Sequence, residues 1–319
     1  MTVTITGIGV VTPLGLEVRE VAERMARGER ANRVGPIDAA QFVRSDRLRR
    51  CARVTHFAVA AAAQAVRDAG MSIGNESHPR VGVISAVSKG PIEYSRKFHA
   101  QFVRGGAKSV SPMLFPETVA NASASHVASV LGLTGPNTTL FGDAAVGFNA
   151  LAMARDILKW NLADAMLVVA PHEHDDIFED AYRRFRWLMP KIGFSEGAAA
   201  MLLTRDRTAS HWGEIVEVDR GQPWRRRSEI PNLLAAAPAV SSATRLQVPL
   251  NILSVSGDEK LSFPNAQRLC IKDSLGDAFA AGALWQVVFG LQRAQTHDNV
   301  LATCVGLNEQ VSATLVRRS

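Results

Sequence analysis

The sequence predicts an α/β protein of layered architecture. Short apolar stretches rich in Val, Ile, Leu and Ala alternate with segments whose apolar residues recur at helical spacing, the signature of sheets covered by helices. A length of 319 residues at 47% apolar composition is enough for a large core and suggests two domain-sized units.

Thr2–Val11 reads as a strand, Thr12-Pro13-Leu14-Gly15 as a turn, and Glu17–Arg27 as a helix. Asp46–Arg67 reads as one helix because of the apolar spacing through Ala58–Val66, and Asp68-Ala69-Gly70 stops it. Arg80–Ser85 is a buried strand, Phe148–Lys159 a helix, and Ala165–Ala170 and Gly197–Leu203 are apolar strands. Glu214–Val218 opens a second unit, and a boundary near Arg207–Gly213 divides the chain into domains 1–208 and 209–319. Between Arg220 and Val248, where Pro, Arg, Ser and Ala dominate, only Ile230–Ala237 suggests a helix. The strand Leu250–Val255, a helix from Asp277 to Ala294 and the strands Val300–Val305 and Val311–Val316 complete the pattern.

The net charge of +6 is concentrated in Arg44/Arg47/Arg49/Arg50/Arg53, Arg183/Arg184/Arg186 and Arg225/Arg226/Arg227. Such clusters suit either an acidic partner or a solvated basic surface. A nucleic-acid partner is not expected, because no interleaved aromatics or recognisable binding motif accompany them. No apolar run approaches the ~20 residues of a membrane span, and the N-terminus lacks the regions of a signal peptide. Cys51, Cys270 and Cys304 are few and widely spaced, which fits reduced thiols in the cytoplasm. No cofactor is expected, and no metal. The pair His172 and His174 in His172-Glu173-His174-Asp175-Asp176 has no further ligand cluster visible in the sequence and reads as a strand end or loop.

The most informative stretch is Gly135-Pro136-Asn137-Thr138-Thr139-Leu140-Phe141-Gly142-Asp143-Ala144-Ala145-Val146-Gly147. It resembles the strand-to-helix turn of the β-ketoacyl synthases, in which a nucleophilic cysteine occupies the position of Ala144. Further segments resemble that family in the same order: Gly7–Gly15; Ser111-Pro112, Pro116 and Asn121-Ala122; Ser195-Glu196-Gly197-Ala198; and Lys272, Gly276 and Ala281-Gly282-Ala283-Leu284, one residue shorter than usual. The resemblance implies a thiolase-like fold: two similar α/β halves in α-β-α-β-α layers, normally dimeric, the second half shortened here.

It also implies what is missing. The family stabilises the thioester oxyanion and the decarboxylating malonyl group with two histidines. Ser256, within Ser254-Val255-Ser256-Gly257-Asp258, and Asp277, after Gly276, stand at those positions. The expected glycine-rich gate is altered to Gly306-Leu307-Asn308-Glu309. An aspartate at 277 would repel a developing enolate. Glu196 and Lys272 match supporting residues of the family site and read as relics, either a retained ion pair or a buried scaffold. Cys304 reads as a buried strand cysteine, and Asp143 as the cap of the helix behind it.

A ketosynthase-like chain without its cysteine resembles the chain-length factor of type II polyketide synthases. The resemblance implies a non-catalytic subunit that forms a heterodimer with an active ketosynthase and helps wall the channel for the acyl chain, with an acyl carrier protein as a further partner of the pair. Family members usually carry glutamine at the lost cysteine, and alanine departs from that. Segment Val110–Ala122 would lie at the subunit interface, with Met113, Phe115 and Thr118 at the channel wall. Two alternatives stay open: an acyltransferase or thioester hydrolase using Asp143, Ser256 or Asp277, and a homodimeric acyl-binding scaffold.

Overall fold

The computed structural model describes residues 2–73, 76–184, 193–205, 212–245, 250–255, 263, 265–306 and 310–319. The strands are β1 (Val3–Val11), β2 (Val81–Val87), β3 (Asn137–Phe141), β4 (Ala165–His172), β5 (Gly197–Thr204), β6 (Gly213–Val218), β7 (Gln222–Pro223), β8 (Leu250–Val255), β9 (Gln267–Cys270), β10 (Asn299–Val305) and β11 (Gln310–Arg318). The helices are α1 (Val18–Ala26), α2 (Arg53–Asp68), α3 (Ile92–Gly105), α4 (Ala122–Leu131), α5 (Val146–Lys159), α6 (Asp176–Arg184), α7 (Ile230–Ala236), α8 (Pro238–Thr244), α9 (Lys272–Leu275) and α10 (Ala280–Arg293).

The same topology occurs twice. In the first half the spatial order is β3-β2-β4-β5-β1, and in the second it is β9-β8-β10-β11-β6. In each half the first three strands of that order run parallel and the next two pairings are antiparallel. A short antiparallel pairing of Val3–Ile5 with Gly213–Ile215 joins the halves into one continuous sheet.

Layering follows from which faces are apolar. α10 is buried from Ala280 to Leu291, all round its circumference, so it can only be an inner helix. It packs on β10 and β8 of its own half, on β4 and β5 of the other, and on α5. One apolar cluster therefore runs through both halves around α5 and α10. A second lies under α2 and α4 on the outer face of the first half, and a third under α8 on the outer face of the second. β1, covered on both sides, is buried along its whole length. No helix of the described residues is long and apolar enough to cross a membrane.

The expected helix Asp46–Arg67 is two elements. Residues Asp46–Arg50 form a 3-10 turn capped by Ser45, Cys51 and Ala52 are extended, and α2 starts at Arg53. The break is stabilised by distant acceptors: the Ala52 N–H donates to Glu117 at 3.2 Å and the Val54 N–H to Glu173 at 2.9 Å. The stretch Arg220–Val248 contains α8 as well as the expected helix near Ile230. The expected domain boundary near Arg207–Gly213 falls largely on residues outside the described ones.

Candidate functional site

The heads of α5 and α10 lie side by side. Gly147 makes that possible, since a Cβ there would stand 2.8 Å from the Ala280 carbonyl. The turn leading into α5 is tied to β2 by the Gly142 N–H, which donates to the Val87 carbonyl at 3.0 Å. The first amides of α5, on Val146, Gly147 and Phe148, donate to the carbonyls of Asp143, Ala144 and Ala145. No side chain caps the helix, so the expectation that the Asp143 carboxylate does so is corrected: the main chain takes that role through a tight 3-10 start. Ala144 is 4% exposed, and its methyl joins the central apolar cluster. The Asp143 carboxylate sits against Gly306, where any Cβ would overlap it.

At the head of α10, Gly276 has φ 75°, and a Cβ there would approach the Gly193 carbonyl to 2.8 Å, so glycine is required. The following main chain bridges to the lead-in of β5: the Asp277 N–H donates to Gly193 and the Ser195 N–H to Asp277. The Asp277 carboxylate is buried and fully engaged. One oxygen meets the Lys272 ammonium at 2.6 Å, and the other accepts from the Phe279 N–H at 3.0 Å. Burial pushes this carboxyl up, but the Lys272 charge and hydrogen bond and the Phe279 amide outweigh it and hold it below the usual carboxylate range. The carboxylate expected at 277 is thus present with its charge compensated by Lys272.

Glu196 and Lys272, expected as a pair of relics, have different partners. Glu196 pairs with Arg53 at 2.7 Å and accepts from the Val34 and His174 amides at 2.9 and 3.2 Å, stapling three segments together. Lys272 pairs with Asp277 instead. Arg53 thereby leaves the basic surface cluster, whose other members Arg44, Arg47, Arg49 and Arg50 are exposed.

An aromatic cluster that the sequence reading missed borders this region. Phe178, Phe194 and Phe279 are buried and mutually in ring contact, and Tyr182 and His172 pack against them. Phe279 holds φ 52° and ψ −121°, a conformation normally left to glycine, so its ring is held in the cluster against a local backbone cost of roughly 1–3 kcal/mol. Lys89 lies 4.9–5.4 Å from the centroids of Phe178, Tyr182 and Phe279 and donates to the Tyr182 hydroxyl at 2.9 Å. The only sequence signal was a lysine in the Ser88-Lys89-Gly90 turn directly after a buried strand. His172 is buried with neither ring nitrogen hydrogen-bonded among the described residues, and burial lowers it to about 3, so the ring is neutral.

His172 and His174, adjacent in the sequence motif, separate in space. His174 faces Asp176 at 3.5 Å and Glu179 at 3.2 Å, a cluster the sequence did not reveal. The Arg33 guanidinium is already there, 2.5 Å from His174 and 3.5 Å from Glu179. Cys304 is buried on β10 opposite Ser312. Ser256 and the segment 307–309 lie outside the described residues.

Met113, Phe115 and Thr118 lie on the connection between α3 and α4. Met113 and Phe115 are exposed at 61% and 56%, and the Thr118 hydroxyl donates to the Phe115 carbonyl at 2.8 Å. Phe115 meets α3 through Phe98, at 5.8 Å between ring centroids. α3 itself has no buried residue, and Phe102, Val103, Phe141 and Ile177 are exposed in the same half. An apolar groove of about 560 Å3 runs between Ile92, Val103 and Ile177.

Residues 31–173 match the family described as "Beta-ketoacyl synthase, N-terminal domain". The 3-oxoacyl-[acyl-carrier-protein] synthase 2 of Staphylococcus aureus (strain N315) is 26% identical over 253 residues, which is 67% of this chain and 61% of the relative. Its counterpart in Synechocystis sp. (strain ATCC 27184 / PCC 6803 / Kazusa) is 28% identical over 184 residues, covering 52% of this chain and 44% of the relative. The chain thus spans about 61% or less of the length of these curated relatives. Among solved structures, "The ishigamide ketosynthase/chain length factor" superposes with TM-score 0.79 at 19% identity, covering 100% of this chain and 99% of the other. The ketosynthase–carrier complex "AntDE:AntF (apo): type II PKS acyl-carrier protein in complex with its ketosynthase bound to the hexaketide" does so with TM-score 0.85 at 16% identity, over 100% and 99%. The chain has the thiolase-like fold of these structures, and its residues 31–173 match the N-terminal domain of the β-ketoacyl synthases.

Proposed function

We propose that this chain is a non-catalytic, chain-length-factor-like subunit that pairs with an active ketosynthase in a type II polyketide or fatty-acid-type synthase. One observation carries the reading. The family's nucleophile position, at the head of the buried helix α5, holds the methyl group of Ala144. Alanine cannot form the acyl-enzyme on which condensation depends. At the second histidine position stands Asp277, with both oxygens engaged by Lys272 and Phe279. That engagement also counts against Asp277 as the base of a remodelled hydrolase.

The exposed apolar residues of α3 and of the segment around Met113 and Phe115 support a partner surface, since contiguous exposed apolar area is uncommon on a monomer. In this proposal the partner is the active ketosynthase, an acyl carrier protein delivers the growing chain, and Met113, Phe115 and Thr118 contribute to the channel wall between the subunits. The test is co-expression with a ketosynthase that keeps its cysteine and both histidines. A co-purifying one-to-one complex, acyl mass on the ketosynthase alone, and longer products with Phe115→Ala are the expected results. If each protein purifies alone and product length is unchanged, or if intact mass spectrometry finds an acyl group on this chain, the proposal fails.

A further inference from the structure

Cys51 is remote in sequence from Glu117 and His126, which are nine residues apart, and the three come from three elements: the end of the 3-10 turn 46–50, the 3-10 turn 115–117, and α4. Their ligand atoms lie within 4.8 Å of one another. The Cys51 Sγ is 3.5 Å from His126 Nε2 and 3.6 Å from Nδ1, and His126 Nε2 is 2.6 Å from a Glu117 carboxylate oxygen. Cys51 and Glu117 are each 7% exposed. We propose that Cys51, Glu117 and His126 form a binding site for a divalent ion of zinc chemistry, with thiolate, carboxylate and imidazole around one centre and a fourth position left for water.

Ligand chemistry, charge and spacing support it. Thiolate, carboxylate and imidazole are zinc's ordinary ligands, and three protein ligands plus water is a common coordination set. Tetrahedral zinc separates a bound sulfur from a bound imidazole nitrogen by about 3.6 Å, which the present spacing already meets, whereas the carboxylate must back away from its hydrogen-bonded position by roughly 0.7 Å. A thiolate and a carboxylate together carry the two negative charges that a divalent ion neutralises, so the filled site is uncharged overall, as burial favours.

Among the described residues no lysine or arginine is paired with Glu117, unlike the His174–Asp176–Glu179 group, where Arg33 already fills the cationic place. The remaining Glu117 oxygen accepts from the Ala52 N–H, which fixes the carboxylate. His56, close by, accepts from the Ala39 N–H at 3.2 Å and stays an outer neighbour. A nucleophilic cysteine–histidine–glutamate relay is the wrong reading, because burial first and Glu117 second push the Cys51 thiol up to about 12. On binding, the thiol gives its proton to solvent, the His126 Nε2 proton passes through solvent to Nδ1, and the lone pairs so freed on sulfur and Nε2 form the metal bonds. The site would brace the start of α2 against the segment that bears Phe115.

The test uses the full chain carrying no histidine tag, stripped with a chelator and titrated with Co2+ as the spectroscopic probe. The expected result is one equivalent of Co2+, with a thiolate-to-cobalt charge-transfer band and visible bands of tetrahedral intensity, both displaced by Zn2+. Cys51→Ser abolishes the charge-transfer band, His126→Ala weakens uptake at least about tenfold, and Cys270→Ser changes neither. A wild-type chain with no charge-transfer band, or a band that survives Cys51→Ser or disappears with Cys270→Ser, overturns the proposal. Should a variant not fold, the wild type decides: Zn2+ raises its melting temperature if the site exists, and no rise overturns it.

Discussion

The two halves share a strand order and an inner helix, yet they differ in what they build on it. Between β2 and β3 the first half inserts residues 88–136, including α3 and α4, while the corresponding connection between β8 and β9 is only residues 256–266. The outer helix of the first half, α2, runs sixteen residues, and its counterparts α7 and α8 have seven each. The helix heads differ as well. α5 begins with ordinary right-handed backbone at Ala145, and α10 begins at a strained Phe279 beside a buried ion pair. A duplicated frame thus tolerates unequal elaboration: the first half adds an exposed apolar surface, and the second sets a buried Lys272–Asp277 pair at the head of its inner helix.

The comparison can be broken most forcefully at the ion pair. Lys272→Met leaves Asp277 buried without its cation and should destabilise the chain by about 3–5 kcal/mol, whereas Lys272→Met combined with Asp277→Leu recovers most of that loss. Urea unfolding of the three proteins checks it, and a double variant as unstable as the single would show that packing, not charge, matters at the head of α10.

A similar magnitude is expected for pH dependence in the first half. Burial raises Glu173 to about 7, although its carboxylate accepts the Val54 and Glu93 amides. The folded state therefore holds its proton more tightly than the unfolded chain does. This stability is fully present below about pH 4.5 and is lost as pH rises through about 7, at most about 3 kcal/mol. Glu173→Gln should flatten the curve of stability against pH across that window.

Packing between β1 and α2 comes next. A Cβ on Gly9 would overlap the Ala61 carbonyl, so Gly9→Ala should cost about 1–3 kcal/mol in a thermal or denaturant melt. In β6, the equivalent strand, a Cβ on Gly213 would meet the Arg317 carbonyl on β11 first and the Leu291 side chain of α10 next. The smallest effect on stability belongs to Phe115→Ser, within about 0.5 kcal/mol for the isolated chain. The same change should weaken assembly with a ketosynthase measurably, which sharpens the contrast between a structural half and a displaying one.

Much of the frame was legible because it rests on local pattern. β1, β4, β5, β10 and β11 are apolar runs bounded by turns, α10 is buried all round from Ala280 to Leu291, and α5 carries a broad apolar face at helical spacing. α3 escaped notice because none of its residues is buried in this chain, so no core-facing stripe marks it clearly. The break at Cys51 escaped because the acceptors of the Ala52 and Val54 amides, Glu117 and Glu173, are more than sixty residues away.

The sequence by itself determined the α/β alternation, the order of the motifs that resemble the β-ketoacyl synthases and the alanine at position 144, since each depends on residue identity and near-neighbour spacing. Only the tertiary structure decided which charges meet. Glu196 found Arg53 and Cys51 met Glu117 and His126 across remote segments, whereas Lys272 turned to Asp277 only five residues on. Side-chain pairing across a folded sheet depends on distances between segments remote in the chain, and linear spacing does not encode those distances.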